Sequence, residues 1–463
     1  MAMFKRVLIA NRGEIAARIA RTLQRLGIES VAVHSDADAG AYHVRCATSA
    51  VHIGGSRPLE SYLNVASLLE AIEKSGADAV HPGYGLLSED ADFARAVRGA
   101  GVTFIGPSES ALDLFGDKVQ ARHLAAGLDL LQVPGTLEPL PADDGERAAR
   151  EALRIGYPVL VKAAAGGGGI GMQRASSPAE LQAAISSCRA RSQAAFADDR
   201  VYLERWVERP RHIEVQVMAD AHGAVRAIGD RECSAQRRHQ KVIEEAPSPA
   251  AMLDQAQRAR VYDQAERLIA AARYQGVATV EFILDPSLIA RGLCFLEVNA
   301  RLQVEHPVTE LTHGLDLVEA QLRIAAGEPL SQLAWNSTPA GHAIEARLYA
   351  EDPARNFAPQ PGQIERFALR PELEGLRLDT GYEAGDAITP FYDPLIAKLI
   401  AHGQTREQAR QRLLEGLRGW DIAVAGPKGP RVTNRELLVR LLEAPAFIQG
   451  EYDTHLVADV IAG

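Results

Sequence analysis

Two short runs of the chain decide its central architecture: TVEFIL (279–284) and LCFLEVNAR (293–301). Apolar and polar residues alternate at the start of the first run (279–282) and at the end of the second (296–301), and the remaining residues are apolar, which is typical of buried strands. The connection from Asp285 to Gly292 carries turn residues, so the two runs predict an antiparallel hairpin. The alternation of side chains along a strand places polar groups on one face of this hairpin: Glu281, Glu297, Asn299 and Arg301.

The polar face of the hairpin indicates a metal site. Two carboxylates and an amide oxygen suit Mg²⁺ (or Mn²⁺) bridging a polyphosphate, because hard cations prefer oxygen ligands. Charged groups buried among alternating strands are costly unless they pair or bind metal, which favours a functional reason for them. A structural ion pair between Arg301 and a neighbouring glutamate is the alternative.

A glycine-rich run, AAAGGGGIGM (163–172), follows a strand predicted from Tyr157 to Lys162. Glycines let backbone N–H groups approach phosphate oxygens, and a nearby lysine neutralises their charge. The run is not a Walker A motif, because its lysine precedes the glycines and no Gly-Lys-Ser/Thr follows. Consecutive glycines also suit a lid that closes over a nucleotide, with a mobile linker as the alternative.

Two further polar clusters lie near the hairpin in the sequence. RECSAQRRHQK (231–241) is dense in basic and amide groups, and as an isolated segment it predicts a solvated charged turn rather than an anion-binding loop. LQVEHP (302–307) places Glu305 close in sequence to Arg301. A carboxylate beside a fixed guanidinium could act as a base on an anion that the guanidinium holds.

The start of the chain predicts alternating strands and helices. RVLIA (6–10) has the pattern of a buried strand, a helix with one apolar face follows it, and residues 30–34 predict the next strand. Residues 1–115 therefore predict an open parallel sheet with helices on both faces. The first strand-to-helix turn has Gly13 but lacks GxGxxG, so a dinucleotide site is not expected there. From Val201 onward, strict alternation predicts antiparallel strands.

Composition excludes several classes of protein. The 463 residues are 47% hydrophobic and 24% charged, as in a folded protein of several domains. A net charge of −10 argues against a general nucleic-acid binder, and four widely separated cysteines argue against a thiolate zinc site. No apolar stretch is long enough for a membrane span. We therefore expect a cytoplasmic protein with neither nucleic acid nor membrane as a partner.

Taken together and in order, these motifs resemble biotin carboxylase, the ATP-grasp component of biotin-dependent carboxylases, over essentially the whole chain. The matching segments are IANRGEIA (9–16), HPGYGLLSE (81–89), GDK (116–118), YPVLVKAAAGGGG (157–169), RPRHIEVQV (209–217), CSAQRRHQKVIEEAP (233–247), FLEVNARLQVEHPVTE (295–310), GHAIEARLYAEDP (341–353) and YDPLIAKLI (392–400). The resemblance implies an α/β fold that is α+β in its ATP-grasp part. The implied domains are an N-terminal open parallel αβ domain (1–115), an ATP-grasp domain with an antiparallel sheet (116–335, lid about 134–203) and a C-terminal α+β domain (336–463).

The resemblance also implies roles for individual positions. It implies ATP-binding residues at Lys118, Lys162, Gly168, Gly169, Met172, Glu204, Arg205, Val207, His212, Gln236, His239, Glu281 and Glu297. The implied metal ligands are Glu281, Glu297 and Asn299. The implied bicarbonate site comprises Lys241, Arg301, Gln303, Val304 and Glu305, and the biotin site comprises Tyr84 and Arg347. The implied catalytic residues are Lys241, Arg301, Arg347 and Glu305, with Glu305 as the base.

The implied reaction is carboxylation of N1 of biotin, with ATP and bicarbonate as the other substrates. ATP activates bicarbonate as carboxyphosphate, and a closing lid keeps water away from that intermediate. The chain has no Ala-Met-Lys-Met biotinylation motif, so we expect biotin on a biotin carboxyl carrier protein or domain, with a carboxyltransferase as a further partner. Arg18 and Arg21 lie near the family's dimer face, so a homodimer is expected. The expected acceptor is an acyl-CoA, with pyruvate or urea as alternatives.

The chain departs from the family pattern at three places. Ile170 stands where the family usually has lysine or arginine, residues 426–434 exceed the family's short turn, and the Asp285–Gly292 connection has the character of a surface insertion. Two other hypotheses stand beside the enzyme, the first suggested by the departure in the lid and the second by the general ATP-grasp signature alone. One is an ATP-binding regulatory or scaffold homologue with an impaired lid, and the other is a different ATP-grasp ligase that forms acyl phosphates.

Replacing Ile170 by lysine tests whether the missing cation matters. If the new ammonium contacts phosphate when the lid closes, ATP should bind about fivefold more tightly, which corresponds to about 1 kcal/mol. Isothermal titration calorimetry measures this change, with Ile170→Met as an uncharged control of similar size. Equal affinities for both variants and the wild type would mean that other groups already supply the contact.

Overall fold

The computed structural model describes residues 3–141, 144–166, 171–285, 287, 292–369, 374–427 and 429–463. The lid positions Gly168, Gly169 and Ile170 lie outside the described residues, as does most of the connection between Asp285 and Gly292. Among the described residues, no helix is both long and apolar enough to cross a bilayer.

The first segment of the chain forms the predicted parallel sheet. Its elements are β1 (Arg6–Ile9), α1 (Gly13–Arg25), β2 (Glu29–Ser35), α2 (Tyr42–Cys46), β3 (Ser49–Gly54), α3 (Val65–Ser75), β4 (Ala79–His81), α4 (Ala91–Gly99), β5 (Thr103–Phe104), α5 (Glu109–Gly116) and α6 (Lys118–Gly127). The strands pair in the order β3-β2-β1-β4-β5, and every pair is parallel. Helix α1 buries Ile15, Ile19 and Leu23 because these side chains recur on one helical face.

A small antiparallel layer follows, and we call it the lid. Its elements are α7 (Gly145–Ile155), β6 (Val159–Ala163), β7 (Met172–Ala175), α8 (Pro178–Phe196) and β8 (Val201–Arg205). The strands pair in the order β7-β6-β8 and share an apolar core with the two helices. Lys162 is the penultimate residue of β6, so the strand delivers it to the place where the glycine run begins.

The central part of the chain contains the predicted hairpin. Its elements are β9 (Arg211–Ala219), β10 (Val225–Arg237), β11 (Gln240–Ala246), α9 (Gln255–Ala271), β12 (Gly276–Leu284), β13 (Cys294–Asn299), α10 (His306–His313) and α11 (Leu317–Ala325). The hairpin is β12–β13, in which Glu281 lies directly opposite Glu297. The expectation of a solvated turn at 231–241 is wrong for most of that segment. Arg231 of β10 is fully buried, and Glu214 on the neighbouring strand β9 compensates its charge.

The last part of the chain extends the same sheet. Its elements are β14 (His342–Tyr349), β15 (Glu351–Asp352), β16 (Ala358–Pro359), β17 (Gly362–Ala368), β18 (Leu376–Thr380), β19 (Ala387–Ile388), β20 (Leu395–Gly403), α12 (Arg406–Gly419), β21 (Asp421–Gly426), β22 (Gly429–Arg431), α13 (Arg435–Glu443), α14 (Pro445–Gln449) and α15 (Leu456–Ala462). An eight-stranded antiparallel sheet has the order β13-β12-β9-β10-β11-β14-β20-β18. This sheet therefore runs across the domain boundary predicted between residues 335 and 336.

Strand β14 gives the large sheet two different faces. Ile344, Ala346 and Leu348 belong to an apolar core that includes helix α12. Glu345 and Arg347 alternate with them and are equally buried, but on the opposite side, where α10 packs. We call this second side the polar face.

Leu348→Ala tests the apolar side of the sheet. Because Leu348 is fully buried, its truncation should leave a cavity and lower the free energy of unfolding by about 2–5 kcal/mol. Urea denaturation measures the loss. The control is Leu59→Ala, at a leucine that is 78% exposed, which should change stability by less than about 0.5 kcal/mol. Equal losses would contradict the placement of Leu348 in the core.

Candidate active site

A cavity of about 1100 Å³ is lined by residues of the lid, the first segment of the chain, the polar face of the large sheet and the last part of the chain. The site residues assigned from the sequence that line it are Tyr84, Lys118, Lys162, Met172, Glu204, Arg205, Val207, His212, Gln236, His239, Lys241, Glu281, Glu297, Asn299, Arg301, Gln303, Val304 and Arg347. Glu305 is fully buried and contacts two of these lining residues, Lys241 and Arg347. The fold thus gathers the assigned residues that the structure describes around one cavity.

Glu281 and Glu297 lie directly opposite each other on β12 and β13. Like charges at such positions repel, so the pair needs nearby cations. Lys118 Nζ lies 2.6 Å from Glu297 Oε2, and His212 Nε2 lies 3.0 Å from Glu281 Oε2. Burial alone would raise the pKa of Glu281, but Lys241 and His212 outweigh it and hold that pKa well below its ordinary value.

The same groups form a donor set that suits a hard divalent cation. Asn299 Nδ2 donates to Glu281 Oε1 at 2.7 Å, so the amide lies against the glutamate pair. Carboxylate and amide oxygens are the ligands that Mg²⁺ prefers, and a divalent cation would also relieve the repulsion between the two glutamates. The residues present therefore fit a Mg²⁺ site at Glu281, Glu297 and Asn299.

Glu305, the residue just before α10, is held between two cations. Lys241 Nζ donates to Glu305 Oε1 at 2.7 Å, and Arg347 Nη2 donates to Glu305 Oε2 at 2.8 Å. Burial alone would raise the pKa of Glu305, but Lys241 and then Arg347 outweigh it and hold that pKa well below its ordinary value. The carboxylate is therefore ionised, and each oxygen accepts from a cation on a different strand, β11 or β14.

Arg301 follows β13 and is oriented by a residue that the sequence did not single out, Glu89. Arg301 Nε donates to Glu89 Oε2 at 2.7 Å, and the Ala300 amide donates to Glu89 Oε1 at 3.0 Å. Arg301 Nη2 also donates to Asn299 Oδ1 at 3.0 Å. The guanidinium is thus fixed from two sides. The only sequence signal for Glu89 was its place at the end of the HPGYGLLSE segment.

Lys162 and Glu204 form a buried ion pair at the lid. Lys162 Nζ lies 2.8 Å from Glu204 Oε2, and Arg122 Nη1 lies 2.5 Å from Glu204 Oε1. Arg205, the next residue, pairs with Asp285 at the end of the large sheet. The Glu204 carboxylate is therefore engaged by two cations, which holds Lys162 at the wall of the cavity.

Tyr84 and Arg347, the residues assigned to biotin, are both held by carboxylates. The Tyr84 hydroxyl donates to Glu14. Burial, and then the Glu14 carboxylate, raise the pKa of Tyr84 well above its ordinary value, so its hydroxyl stays protonated. Arg347 Nη2 lies 2.5 Å from Glu244 Oε1 in addition to its contact with Glu305.

Several buried charged residues that contact the assigned ones were missed by sequence reasoning: Glu14, Arg122, Glu214, Glu244 and Lys398. Glu214 is the clearest case, since it pairs with both Lys241 and Arg231. A signal existed for it, because alternation along β9 puts His212, Glu214 and Gln216 on one face. The others have partners far away in the sequence, so no local pattern marks them.

Comparisons with known proteins agree over the whole chain. The sequence matches the families described as Biotin carboxylase, N-terminal domain (residues 3–112), Carbamoyl-phosphate synthase L chain, ATP binding domain (117–333) and Biotin carboxylase C-terminal domain (345–459). It is 47% identical over 457 residues to the biotin carboxylase of Halalkalibacterium halodurans. The alignment covers 99% of this chain and 98% of the relative. It is 42% identical over 478 residues to the propionyl-CoA carboxylase alpha chain of Ruegeria pomeroyi. That alignment covers 99% of this chain and 68% of the relative.

The fold agrees as closely as the sequence. The biotin carboxylase domain dimer of 2-oxoglutarate carboxylase from Hydrogenobacter thermophilus, solved with MgADP, ADP and bicarbonate, has a TM-score of 0.92 to this chain at 39% identity. The match covers 99% of this chain and 98% of that one, and so includes the N-terminal sheet, the lid and the large sheet. The chain belongs to the biotin carboxylase family, whose members are ATP-dependent carboxylating ligases.

Proposed function

We propose that this chain carboxylates N1 of biotin, with ATP and bicarbonate, through a carboxyphosphate intermediate. The observation that carries the proposal is the placement of Glu305, buried between Lys241 and Arg347 beside the cavity that Lys118 and Lys162 line. One cavity then contains a carboxylate able to act as a base, cations able to hold an anion, and lysines able to hold phosphates.

The phosphates of ATP are proposed to lie against Lys118 and Lys162. Both ammonium groups line the cavity, and they can spread the charge of the transferring phosphoryl group. Glu281, Glu297 and Asn299 would hold Mg²⁺, which when bound neutralises polyphosphate charge. Glu204 keeps Lys162 in place for this role through the buried ion pair.

The base step is proposed to begin with exchange of ionic partners. Bicarbonate would bind to Lys241 and Arg301, with Gln303 and the Val304 backbone beside it. As Lys241 turns to the new anion, the pKa of Glu305 rises from its lowered value, and the carboxylate takes the bicarbonate proton. The deprotonated oxygen then attacks the γ-phosphorus of ATP, the bond to the β-phosphate oxygen breaks, and carboxyphosphate and ADP result.

The second step transfers the carboxyl group to biotin. Carboxyphosphate first breaks at the bond between its carboxyl carbon and the bridging phosphate oxygen, which gives CO2 and phosphate. The released phosphate takes the proton of biotin N1, and Arg347 stabilises the negative charge that develops on the ureido oxygen. N1 then attacks the carbon of CO2, which forms the new C–N bond. Tyr84, fixed by Glu14, is proposed to lie beside the biotin ring.

We also propose that the chain catalyses the first half-reaction of an acyl-CoA-type carboxylase. Biotin would be carried by a separate carrier protein or domain, a carboxyltransferase would be the second partner, and the chain would act as a homodimer. The 42% identity to a propionyl-CoA carboxylase alpha chain supports an acyl-CoA acceptor. The 39% identity to a 2-oxoglutarate carboxylase domain supports a 2-oxo acid as the second candidate. Carboxylation assays on the complex purified from its source with propionyl-CoA, pyruvate and 2-oxoglutarate distinguish the two.

Glu305→Gln tests the base. The substitution keeps the size of the side chain but removes the proton acceptor, so ATP hydrolysis that depends on bicarbonate and free biotin should fall about 100-fold or more. ATP affinity, measured by calorimetry, should not change because Glu305 contacts no assigned phosphate ligand. Phosphate release measured with and without bicarbonate gives the rate.

The matched control is Glu70→Gln on α3, an exposed glutamate paired with Lys74, which should hydrolyse ATP at the wild-type rate. Near wild-type turnover of Glu305→Gln would exclude Glu305 as the base. If the wild-type protein binds ATP but shows no bicarbonate-dependent turnover, the regulatory or scaffold hypothesis replaces the enzyme.

Glu89→Gln tests the orientation of Arg301. The variant loses the carboxylate that fixes the guanidinium at 2.7 Å, so the KM for bicarbonate should rise about tenfold. The ATP affinity should stay constant. Steady-state kinetics with varied bicarbonate measures the effect, and an unchanged KM would mean that the contacts of Arg301 with Asn299, Gln303 and the Leu302 carbonyl orient it without Glu89.

A further inference from the structure

Lys398 is a fully buried lysine with no role in the proposed chemistry. It lies in the middle of β20, within the YDPLIAKLI segment, directly opposite Arg347 on β14 and Asp379 on β18. Residues opposite each other on paired strands share a face, so the three charges form a row on the polar face. A lysine in such a place is costly unless its ammonium is fully paired.

The neighbours of Lys398 in this row already have other partners. Arg347 pairs with Glu305 and Glu244, and Asp379 is held by Arg377 at 2.7 Å. The Lys398 ammonium is directed elsewhere. The ammonium therefore contacts groups that lie outside the strands of the sheet.

Lys398 Nζ donates to the Val304 carbonyl oxygen at 2.7 Å and lies 3.1 Å from Glu14 Oε1. The Val304 carbonyl belongs to the peptide group that also contains the Glu305 amide nitrogen. This hydrogen bond therefore fixes the backbone at the junction between a residue assigned to bicarbonate and the proposed base. Glu14, from the first turn of α1, supplies the countercharge.

Glu14 extends the connection to the other substrate. Its second oxygen, Oε2, accepts the hydroxyl hydrogen of Tyr84. The contacts thus run without a gap from Val304 through Lys398 and Glu14 to Tyr84. They join β20, α1 and the loop after β4, which are far apart in the sequence.

We propose that Lys398 is a positioning residue that holds the Val304–Glu305 peptide in place and, through Glu14, ties the bicarbonate end of the cavity to the biotin end. This inference rests on the proposed function and adds a residue to it. Lys398 touches no reacting atom, so its loss should alter substrate placement rather than remove a catalytic group.

Lys398→Met is the principal test, because methionine fills similar space without the ammonium. The KM for bicarbonate should rise about tenfold or more, while the affinity for ATP measured by calorimetry stays constant. Lys74→Met, at an exposed lysine on α3, is the matched control and should keep the wild-type KM. A general structural effect would weaken ATP binding and bicarbonate use together, and that result would overturn the proposal.

Glu14→Gln provides a second test, and it decides alone if Lys398→Met fails to fold. It removes the countercharge of Lys398, so the KM values for both bicarbonate and free biotin should rise.

Combining Lys398→Met with Tyr84→Phe should raise the KM for biotin by less than the product of the single effects, because both substitutions break one chain of contacts. Multiplicative effects, or unchanged KM values in Glu14→Gln, would overturn the proposal. Absence of bicarbonate-dependent turnover in the wild type would instead overturn the proposed function itself.

Discussion

A fully buried carboxylate, Glu305, has to be neutralised by cations that come from two strands. Removing a carboxylate from water costs several kcal/mol unless charged partners compensate for it, and here Lys241 and Arg347 do so. Lys241 lies on β11 and Arg347 on β14, so the compensation works only when these strands are neighbours. The continuity of the eight-stranded sheet between the middle and the end of the chain is thus tied to the charge of one side chain.

The same pairing prepares the site for chemistry. Under the proposed function, a base that is ionised and held by cations becomes reactive when an anion competes for those cations, which would link the reactivity of Glu305 to the arrival of bicarbonate. The paired glutamates of β12 and β13 follow a similar principle, since Lys118 offsets the charge of Glu297, while His212 and Lys241 offset that of Glu281. The polar face therefore carries ion pairs whose partners the proposed substrates would exchange. The apolar side of the sheet packs into the core and stabilises the folded chain.

Local patterns predicted the elements of this fold well. The partial alternation within 279–284 and 293–301 and the turn residues between them predicted the hairpin, and the apolar face of the first helix agrees with α1. The segment 231–241 was the clearest error, because a dense run of charges is usually solvated. Here Arg231 is fully buried and Glu214 compensates its charge, although the two residues are 17 positions apart in the sequence. The role of Glu89 could not be predicted either, because its partner Arg301 is 212 residues away and no local pattern links the two.

By itself, the sequence determined which residue types are present, the period at which they recur and the order of the motifs, and these were enough to indicate the fold class and the family. Period and order are local properties, because a strand or helix presents its side chains at intervals set by its own backbone. Only the tertiary structure decided which charge compensates which: Glu14 with Lys398, Glu89 with Arg301, and Glu305 with Lys241 and Arg347. Those pairings depend on distances across the cavity and the sheet, and electrostatic energy follows distance in space rather than separation along the chain.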